Sequence, residues 1–193
     1  MNKRETKPPR TGMILAAGYG RRLAPLTRLL PKPLLPFAGP PLLRRIIDRL
    51  EQSGIRRIAI NTHHLGEKID TCLRSLSTDI SFRVFPEPRI LGTAGGIANA
   101  REFLCRDKNF ILHNGDIFST INISRLWEEH IRHQPLVTLA LLGGHHESRI
   151  RMASDGRITA IGEDPGADSA NRCGFTYTGI AAISAAFLDR LPN

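Results

Sequence analysis

Short apolar runs alternate with amphipathic segments along most of this 193-residue chain. The apolar runs are strand-like, and the amphipathic segments repeat their apolar side chains at helical spacing. The predicted strands span residues 13–17, 55–61, 80–85, 109–113, 136–142 and 175–183. The predicted helices span residues 41–52, 64–76, 93–104 and 123–133. This alternation is typical of an α/β fold with three layers, in which a mostly parallel sheet carries helices on both faces.

The alternation changes after Gly144. Residues 150–153 and 157–161 flank an Asp-Gly dipeptide, which between two such runs is typical of a β-hairpin. We also expect Ser184 to cap a short final helix. The length and the lack of internal repeats or a linker predict one domain over residues 12–193, preceded by a charged, disordered tail over residues 1–11.

Composition narrows the classes of partner. The formal net charge of +9 is compatible with anionic partners. The arginines are spread over several predicted elements and the few aromatics are not interleaved with them, so nucleic-acid binding is not predicted. No apolar run reaches the ~20 residues that cross a bilayer, so no membrane association is predicted. Three scattered cysteines without a Cys-x-x-Cys motif favour a reducing cytoplasm.

The segment after the first predicted strand carries the most specific functional pattern. Gly18 and Gly20 remove side chains where the chain turns, so backbone N–H groups can approach a phosphate closely. Arg22 follows, and Lys32 lies between two prolines that restrict its backbone. The third glycine of the dinucleotide fingerprint is replaced by Leu23, and no P-loop Gly-Lys-Ser/Thr follows. A glycine turn with two cations predicts a polyphosphate site.

This segment resembles the signature of the sugar-phosphate nucleotidyltransferases, among them mannose-1-phosphate guanylyltransferases and N-acetylmuramate-1-phosphate uridylyltransferases. That signature is Leu-Ala-x-Gly-x-Gly-x-Arg-Leu-x-Pro-Leu-Thr followed by Pro-Lys-Pro-Leu, and the chain matches it almost completely. The resemblance implies the Rossmann-like nucleotide-diphospho-sugar transferase fold and a reaction of an NTP with a sugar 1-phosphate to give an NDP-sugar and pyrophosphate. It implies that Arg22 binds the triphosphate and that Lys32 holds the reacting phosphates. The nucleotide contacts it implies in this segment are Leu15, Ala16, Ala17, Gly18, Gly20 and Arg22.

Asp116 closes an Asn-Gly-Asp run directly after the strand predicted over residues 109–113. Ligands of parallel sheets bind beyond the carboxyl ends of the strands, so this carboxylate is expected to face a ligand. Taken alone, the residue is better explained as a turn aspartate hydrogen-bonded to its own backbone. The run resembles the family's metal-binding aspartate, which implies that Asp116 binds Mg²⁺ and joins Arg22 and Lys32 as the catalytic set.

The segment after the third predicted strand is rich in small residues that leave backbone N–H groups free for an anion or a flat base. The resemblance implies that Glu87, Gly92 and Thr93 contact the nucleotide and that Gly95 and Gly96 contact the sugar. A carboxylate only accepts hydrogen bonds, which suits the two adjacent N–H donors of guanine better than the single ring N–H of uracil and favours GTP. Two alternatives stay open, namely a solvated loop carboxylate and glycines that allow close packing.

Three further residues are candidates for sugar contacts. Thr178 and Gly179 resemble the family's Thr-Gly pair in the last predicted strand, and Asn61 ends the second one. A strand with a glycine bulge explains the first two equally well, and a turn residue explains the third.

The resemblance fails at two places. The family's Glu-Lys pair corresponds to Glu163 and Asp164, and an aspartate would repel a sugar phosphate. The family's second metal aspartate lies in a Trp-x-Asp-Ile/Val-Gly-Thr motif, which this sequence lacks, and its one tryptophan is Trp127. We therefore expect a domain that is C-terminally incomplete relative to the family. A non-catalytic nucleotide-binding or nucleotide-sugar-binding module, a truncated fragment and a cytidylyltransferase for a phosphorylated alcohol stay open as alternatives, as does self-association into a homo-oligomer.

Overall fold

The computed structural model describes residues 7–143, 150–162 and 174–191. The strands in these ranges are β1 (Thr11–Leu15), β2 (Arg57–Thr62), β3 (Ser81–Pro86), β4 (Asn109–Asn114), β5 (Val137–Gly143), β6 (Ile150–Met152), β7 (Ile158–Ile161) and β8 (Phe175–Ser184). The α-helices are α1 (Leu26–Leu29), α2 (Leu42–Gln52), α3 (Gly66–Arg74), α4 (Gly92–Asn99), α5 (Arg101–Leu104) and α6 (Ile123–His133). Short 3-10 helices span Arg21–Leu23, Lys32–Leu34 and Ala185–Arg190.

The strands form one sheet in the order β3-β2-β1-β4-β8, with the β6-β7 hairpin beside the start of β8 and β5 also paired to β8. Strands β3, β2, β1 and β4 are parallel, and we call them the parallel half. Strands β5 to β8 make only antiparallel pairs, and we call them the antiparallel half. The α/β fold and the hairpin are confirmed, but the prediction of a mostly parallel sheet is wrong, because an apolar run indicates a strand without indicating its direction.

Each face of the sheet packs against its own helices, because successive strand side chains point to opposite faces. Ile14 of β1 and Ile58 of β2 lie in a core with α2, α3 and α6. Met13 and Ala59, their chain neighbours, lie in a second core with α4, α5 and the last 3-10 helix. The two cores fix the parallel half from both sides and leave the ends of its strands free for a site.

Most boundaries differ from the sequence prediction by one or two residues, and two of the differences change the architecture. The helix predicted over residues 93–104 is divided into α4 and α5 at Ala100, whose φ and ψ are −95° and 9°. The first strand begins at Thr11, and Trp127 of α6 donates its indole N–H to the backbone oxygen of Lys7 at 2.8 Å. Residues 7–11 of the predicted tail therefore contact the domain. Of the helices that the structure describes, none has the length and apolarity to cross a membrane.

Candidate active site

A cleft of about 420 Å³ opens at the carboxyl ends of β1 and β4. Fourteen residues line it: Leu15, Ala16, Gly18, Tyr19, Gly20, Arg21, Arg22, Leu23, Lys32, Pro33, Thr93, Asn114, Gly115 and Asp116. The structure thus brings the predicted catalytic residues together with four of the five residues of the glycine-rich loop, residues 16–20.

The glycine-rich loop turns at Gly20, which has a positive φ of 62°. A Cβ atom there would lie 2.9 Å from Cγ2 of Thr27 and 3.2 Å from Cβ of Lys32, so only glycine fits. The hydroxyl of Thr27 donates to the backbone oxygen of Gly20 at 3.1 Å and holds the turn. A Cβ on Gly18, in contrast, would meet no described atom within 4 Å, so the backbone is open to a ligand at that point.

Lys32 and Asp116 meet across the cleft although 84 residues separate them in sequence. The Nζ atom of Lys32 lies 2.6 Å from Oδ2 of Asp116, and both side chains remain partly exposed. Arg22 is exposed at the same cleft and makes no hydrogen bond or ion pair with any residue that the structure describes. Among the described residues the cleft therefore offers one ion pair and two exposed arginines, Arg21 and Arg22, to an anionic ligand.

The backbone places Asp116 beside the start of the glycine-rich loop. Strands β1 and β4 are neighbours, with Leu15 opposite Asn114, and the N–H of Gly115 donates to the backbone oxygen of Leu15 at 2.8 Å. A Cβ on Gly115 would lie 2.8 Å from that same oxygen, so the glycine is needed for this approach. Nδ1–H of the adjacent His113 donates to the backbone oxygen of Asn114 at 2.7 Å, and burial lowers the pKa of this histidine.

Glu87 does not line the cleft. Its side chain is buried, so the interpretation as a solvated loop carboxylate is wrong. Oε1 accepts a hydrogen bond from Nδ2 of Asn61 at 2.8 Å, and Oε2 accepts one from the N–H of Leu91 at 2.9 Å. Asn61 is equally buried, and its Oδ1 accepts a hydrogen bond from the N–H of Ala16 at 2.8 Å. Both polar side chains are thus occupied by the protein itself.

The glycines of α4 differ in their surroundings. Gly92 has a φ of 71° and open space where a Cβ would lie. A Cβ on Gly95 would lie 2.6 Å from Cβ of Leu91, and one on Gly96 would lie 2.7 Å from Nδ2 of Asn61. Close packing inside the protein therefore accounts for Gly95 and Gly96. Gly92 and the buried Ala17 do not line the cleft, but they flank residues that do.

The remaining sugar-site candidates lie on β8, outside the lining of the cleft. The hydroxyl of Thr178 donates to the backbone oxygen of Ala140 at 2.8 Å. Gly179 has a φ of 82°, and a Cβ there would lie 2.9 Å from Nδ2 of Asn114. The pairing of β5 with β8 shifts register at this point, as the glycine-bulge alternative predicts. Glu163 and Asp164 lie outside the described residues.

Sequence reasoning did not single out Tyr19 and Arg21, which line the cleft at variable positions of the signature. The hydroxyl of Tyr19 lies 3.0 Å from Nε2 of His63, and the guanidinium of Arg21 lies over the Tyr19 ring at 4.9 Å from its centroid. Nδ1 of His63 lies 2.7 Å from the backbone oxygen of Glu87. The available signal was an aromatic residue and an extra cation inside a phosphate-binding loop.

The described residues include no cluster of three or more His, Cys, Asp or Glu side chains that could hold a metal ion. Asp116 is the single carboxylate among the described residues that line the cleft. Mg²⁺ is commonly held by one or two carboxylates together with substrate phosphates and water, so this donor set fits it when a nucleotide is also present.

A family model described as nucleotidyl transferase matches residues 11–185. The chain is 42% identical over 118 residues to N-acetylmuramate alpha-1-phosphate uridylyltransferase from Neisseria meningitidis. The aligned residues cover 60% of this chain and 51% of that protein. It is 34% identical over 133 residues to mannose-1-phosphate guanyltransferase from Yarrowia lipolytica. Here the aligned residues cover 66% of this chain and 36% of that protein. The chain thus spans about half the length, or less, of these curated relatives.

Solved structures share the fold. HddC from Yersinia pseudotuberculosis in complex with GMP-PN superimposes with a TM-score of 0.77 at 23% identity, covering 95% of this chain and 80% of that one. A putative glucose-1-phosphate thymidylyltransferase from Bacillus anthracis gives a TM-score of 0.79 at 23% identity, covering 93% of this chain and 73% of that one.

Proposed function

This chain belongs to the nucleotidyl transferase family, and on that premise we propose that it condenses an NTP with a sugar 1-phosphate to give an NDP-sugar and pyrophosphate. The observation that carries the proposal is the meeting of Lys32 and Asp116 at 2.6 Å in a cleft that Arg22 and the glycine-rich loop also line. Two phosphate-bearing substrates must be brought together in this reaction, and a cleft lined by three cationic side chains and bare backbone suits them.

In the proposed reaction a phosphate oxygen of the sugar phosphate attacks the α-phosphorus of the NTP. The new O–P bond forms as the bond from the α-phosphorus to the bridging oxygen breaks, and pyrophosphate leaves with that electron pair. Arg22, which is free of described partners, offsets charge on the leaving pyrophosphate. Lys32 exchanges its contact with Asp116 for the reacting phosphates and aligns them.

Mg²⁺ is the cofactor in this proposal. Asp116 would hold it, because its Oδ1 accepts no hydrogen bond from any described residue and Oδ2 becomes free when Lys32 turns to a phosphate. When bound, Mg²⁺ offsets the negative charge of the triphosphate.

The nucleotide lies along the glycine-rich loop in this proposal, with Leu15, Ala16, Gly18 and Gly20 against it and Thr93 across the cleft. Gly92 remains a proposed contact because its surroundings are open. The base stays undecided, because the expected preference for GTP rested on an accessible Glu87 and that side chain is buried. The relatives are named for uridylyl and guanylyl transfer, which makes UTP and GTP the first nucleotides to test. We place the reaction in the cytoplasm, on the cysteine pattern.

The test is a turnover assay on the full chain with Mg²⁺, each of four NTPs and a panel of sugar 1-phosphates. We expect pyrophosphate release that requires both substrates. Asp116→Asn is the control for activity of the cleft. If the chain neither releases pyrophosphate nor binds any NTP in calorimetry, the proposal is wrong.

A second candidate is a module that binds nucleotides or nucleotide sugars without turnover. It is favoured by the single carboxylate that lines the described part of the cleft. Calorimetry separates the two, because this candidate predicts NTP binding with no pyrophosphate release in the same preparation.

A further inference from the structure

Glu87 stands at the centre of a hydrogen-bond network that reaches the glycine-rich loop at two points. We propose that Glu87 is a positioning residue that fixes this loop and the start of α4, and that it does not read the nucleotide base. The inference rests on the proposed function, in which the loop receives the triphosphate.

The first connection runs through the side chain. Oε1 of Glu87 accepts from Nδ2 of Asn61 at 2.8 Å, and Oδ1 of Asn61 accepts from the N–H of Ala16 at 2.8 Å. Ala16 lines the cleft at the beginning of the loop. Both side chains are only 3% exposed, so water does not compete for these hydrogen bonds. The buried carboxylate thereby sets the direction in which the loop leaves β1.

The second connection runs through the backbone of Glu87. Nδ1–H of His63 donates to its carbonyl oxygen at 2.7 Å, which leaves Nε2 of His63 to accept from the Tyr19 hydroxyl at 3.0 Å. One neutral tautomer of His63 satisfies both contacts. Tyr19 lies at the far side of the loop, between Gly18 and Gly20. The loop is therefore held at its beginning and at its tip by two chains of hydrogen bonds that both start at Glu87.

The third connection reaches α4. Oε2 of Glu87 accepts from the N–H of Leu91 at 2.9 Å, directly before the helix whose Thr93 lines the cleft. Gly96 of the same helix leaves room for the network, since a Cβ there would lie 2.7 Å from Nδ2 of Asn61 and 3.1 Å from Oε1 of Glu87. The two walls of the cleft thus share one buried carboxylate.

The chemistry of the site requires, at position 87, a group that only accepts hydrogen bonds. Two donors point at Glu87, an amide N–H₂ and a backbone N–H, and a carboxylate accepts from both. A glutamine would direct its own N–H₂ at one of them, which leaves a buried donor unsatisfied. Glu87→Gln is therefore a nearly isosteric variant that breaks the network.

The experiment measures binding of ATP, GTP, CTP, UTP and inorganic triphosphate to the full chain, with and without Glu87→Gln. A positioning residue affects all five ligands alike, and we expect about tenfold weaker binding of each, inorganic triphosphate included. A loss confined to one NTP, with triphosphate binding unchanged, would overturn the inference in favour of base reading. Glu128→Gln, at an exposed position of α6 with no described partner, is the matched control and should change nothing.

Amide hydrogen exchange tests the same inference without any ligand. In Glu87→Gln we expect faster exchange in residues 15–20, while residues 109–114 of β4 keep their rates. Unchanged exchange in the loop would contradict the inference. If the unmodified chain binds none of the five ligands, the proposed function fails, and this measurement alone decides the role of Glu87.

Asn61→Asp supplies a second variant in case Glu87→Gln does not fold. The introduced carboxylate would face Oε1 of Glu87, and the two would repel unless they share a proton. We expect triphosphate binding, relative to the unmodified chain at the same pH, to be weak near pH 8 and to recover near pH 5.5. His63, the other titratable group beside Glu87, is common to both proteins, so the ratio isolates the new pair. A ratio that does not depend on pH would contradict the network.

Discussion

The two halves of the sheet divide the work of the domain. In the parallel half, β1 and β4 end at the cleft, and every residue that the structure places in its lining lies between Leu15 and Asp116. The antiparallel half contributes no described residue to that lining, but β8 pairs with β4 along five residues and covers its outer edge. Parallel strands bring several carboxyl ends to one edge of a sheet, whereas antiparallel strands alternate their ends. The parallel half therefore supplies the residues of the proposed reaction, and the antiparallel half supports them by pairing along β4.

The largest expected effect comes from removing the carboxylate of Asp116, which follows β4 of the parallel half. Asp116→Asn should lower the proposed pyrophosphate release by about a hundredfold or more, because charge on the transferring phosphates is no longer offset. Its free energy of unfolding should fall by at most about 1 kcal/mol, since the ion pair with Lys32 is partly exposed. Asp155→Asn in the hairpin is the control and should retain full activity.

A core substitution in the antiparallel half should have the opposite profile. Ile183 of β8 is buried, and Ile183→Ala should lower the free energy of unfolding by about 3 kcal/mol, measured by chemical denaturation. NTP affinity of the folded fraction, measured at low temperature, should stay within about twofold, because a cavity there removes no cleft residue. Ile161→Ala, on the exposed part of β7, should leave stability nearly unchanged. A large loss of affinity in the first variant would show that β8 shapes the cleft.

Arg22, a cation of the cleft with no described partner, gives a smaller effect. Arg22→Ala should weaken binding of inorganic triphosphate by about tenfold to a hundredfold, the range expected when a charge-assisted hydrogen bond is lost. Stability should not change, because the side chain has no described partner. Calorimetry at low and high salt checks the result, and Arg125→Ala on α6 controls for the loss of one positive charge. Equal losses in the two variants would mean that overall charge, not the cleft, attracts the ligand.

The smallest effect is a pH dependence at His130 of α6, whose ring contacts both halves of the sheet. His130 of α6 is buried between the hydroxyl of Thr138 and Oδ1 of Asn109, and burial lowers its pKa. The unfolded chain therefore binds the proton more readily, so stability is complete above about pH 6.5 and is lost as the pH falls toward the folded pKa.

Between pH 7.5 and 5.5 the unmodified chain should lose about 1 kcal/mol more of its free energy of unfolding than His130→Gln does. His133→Gln, at an exposed site three residues further along the same helix, should keep the full pH dependence. The contribution of His113 is common to all three proteins. Equal slopes in the three chemical denaturation series would contradict the assignment.

The sequence predicted the parallel half more completely than the antiparallel half, for a physical reason. Periodicity is local, so β1, β2, β3 and β4 and their intervening helices were found from apolar spacing alone. The direction of β8 depends on pairing with residues about seventy positions earlier, as in Ile111 opposite Ala182, and no local pattern carries that information. The division of one predicted helix at Ala100 likewise depends on backbone angles that composition does not reveal.

The candidate site shows the same limit. Arg22, Lys32 and Asp116 were predicted because signature positions identify residue types at fixed spacing, and the structure brings all three to the cleft. The surroundings of Glu87 were not predicted, because its burial depends on Asn61, which lies 26 positions away. The sequence pattern of a carboxylate after a strand is the same whether the carboxylate faces a ligand or a buried amide.

The contact between Trp127 and the backbone of Lys7 has a practical consequence. Because the chain has a single tryptophan, its fluorescence reports from one point, the seam where the first described residues lie against α6. A red shift of that emission would signal exposure of Trp127 and detachment of this seam. The molecule therefore carries a native optical reporter at this seam.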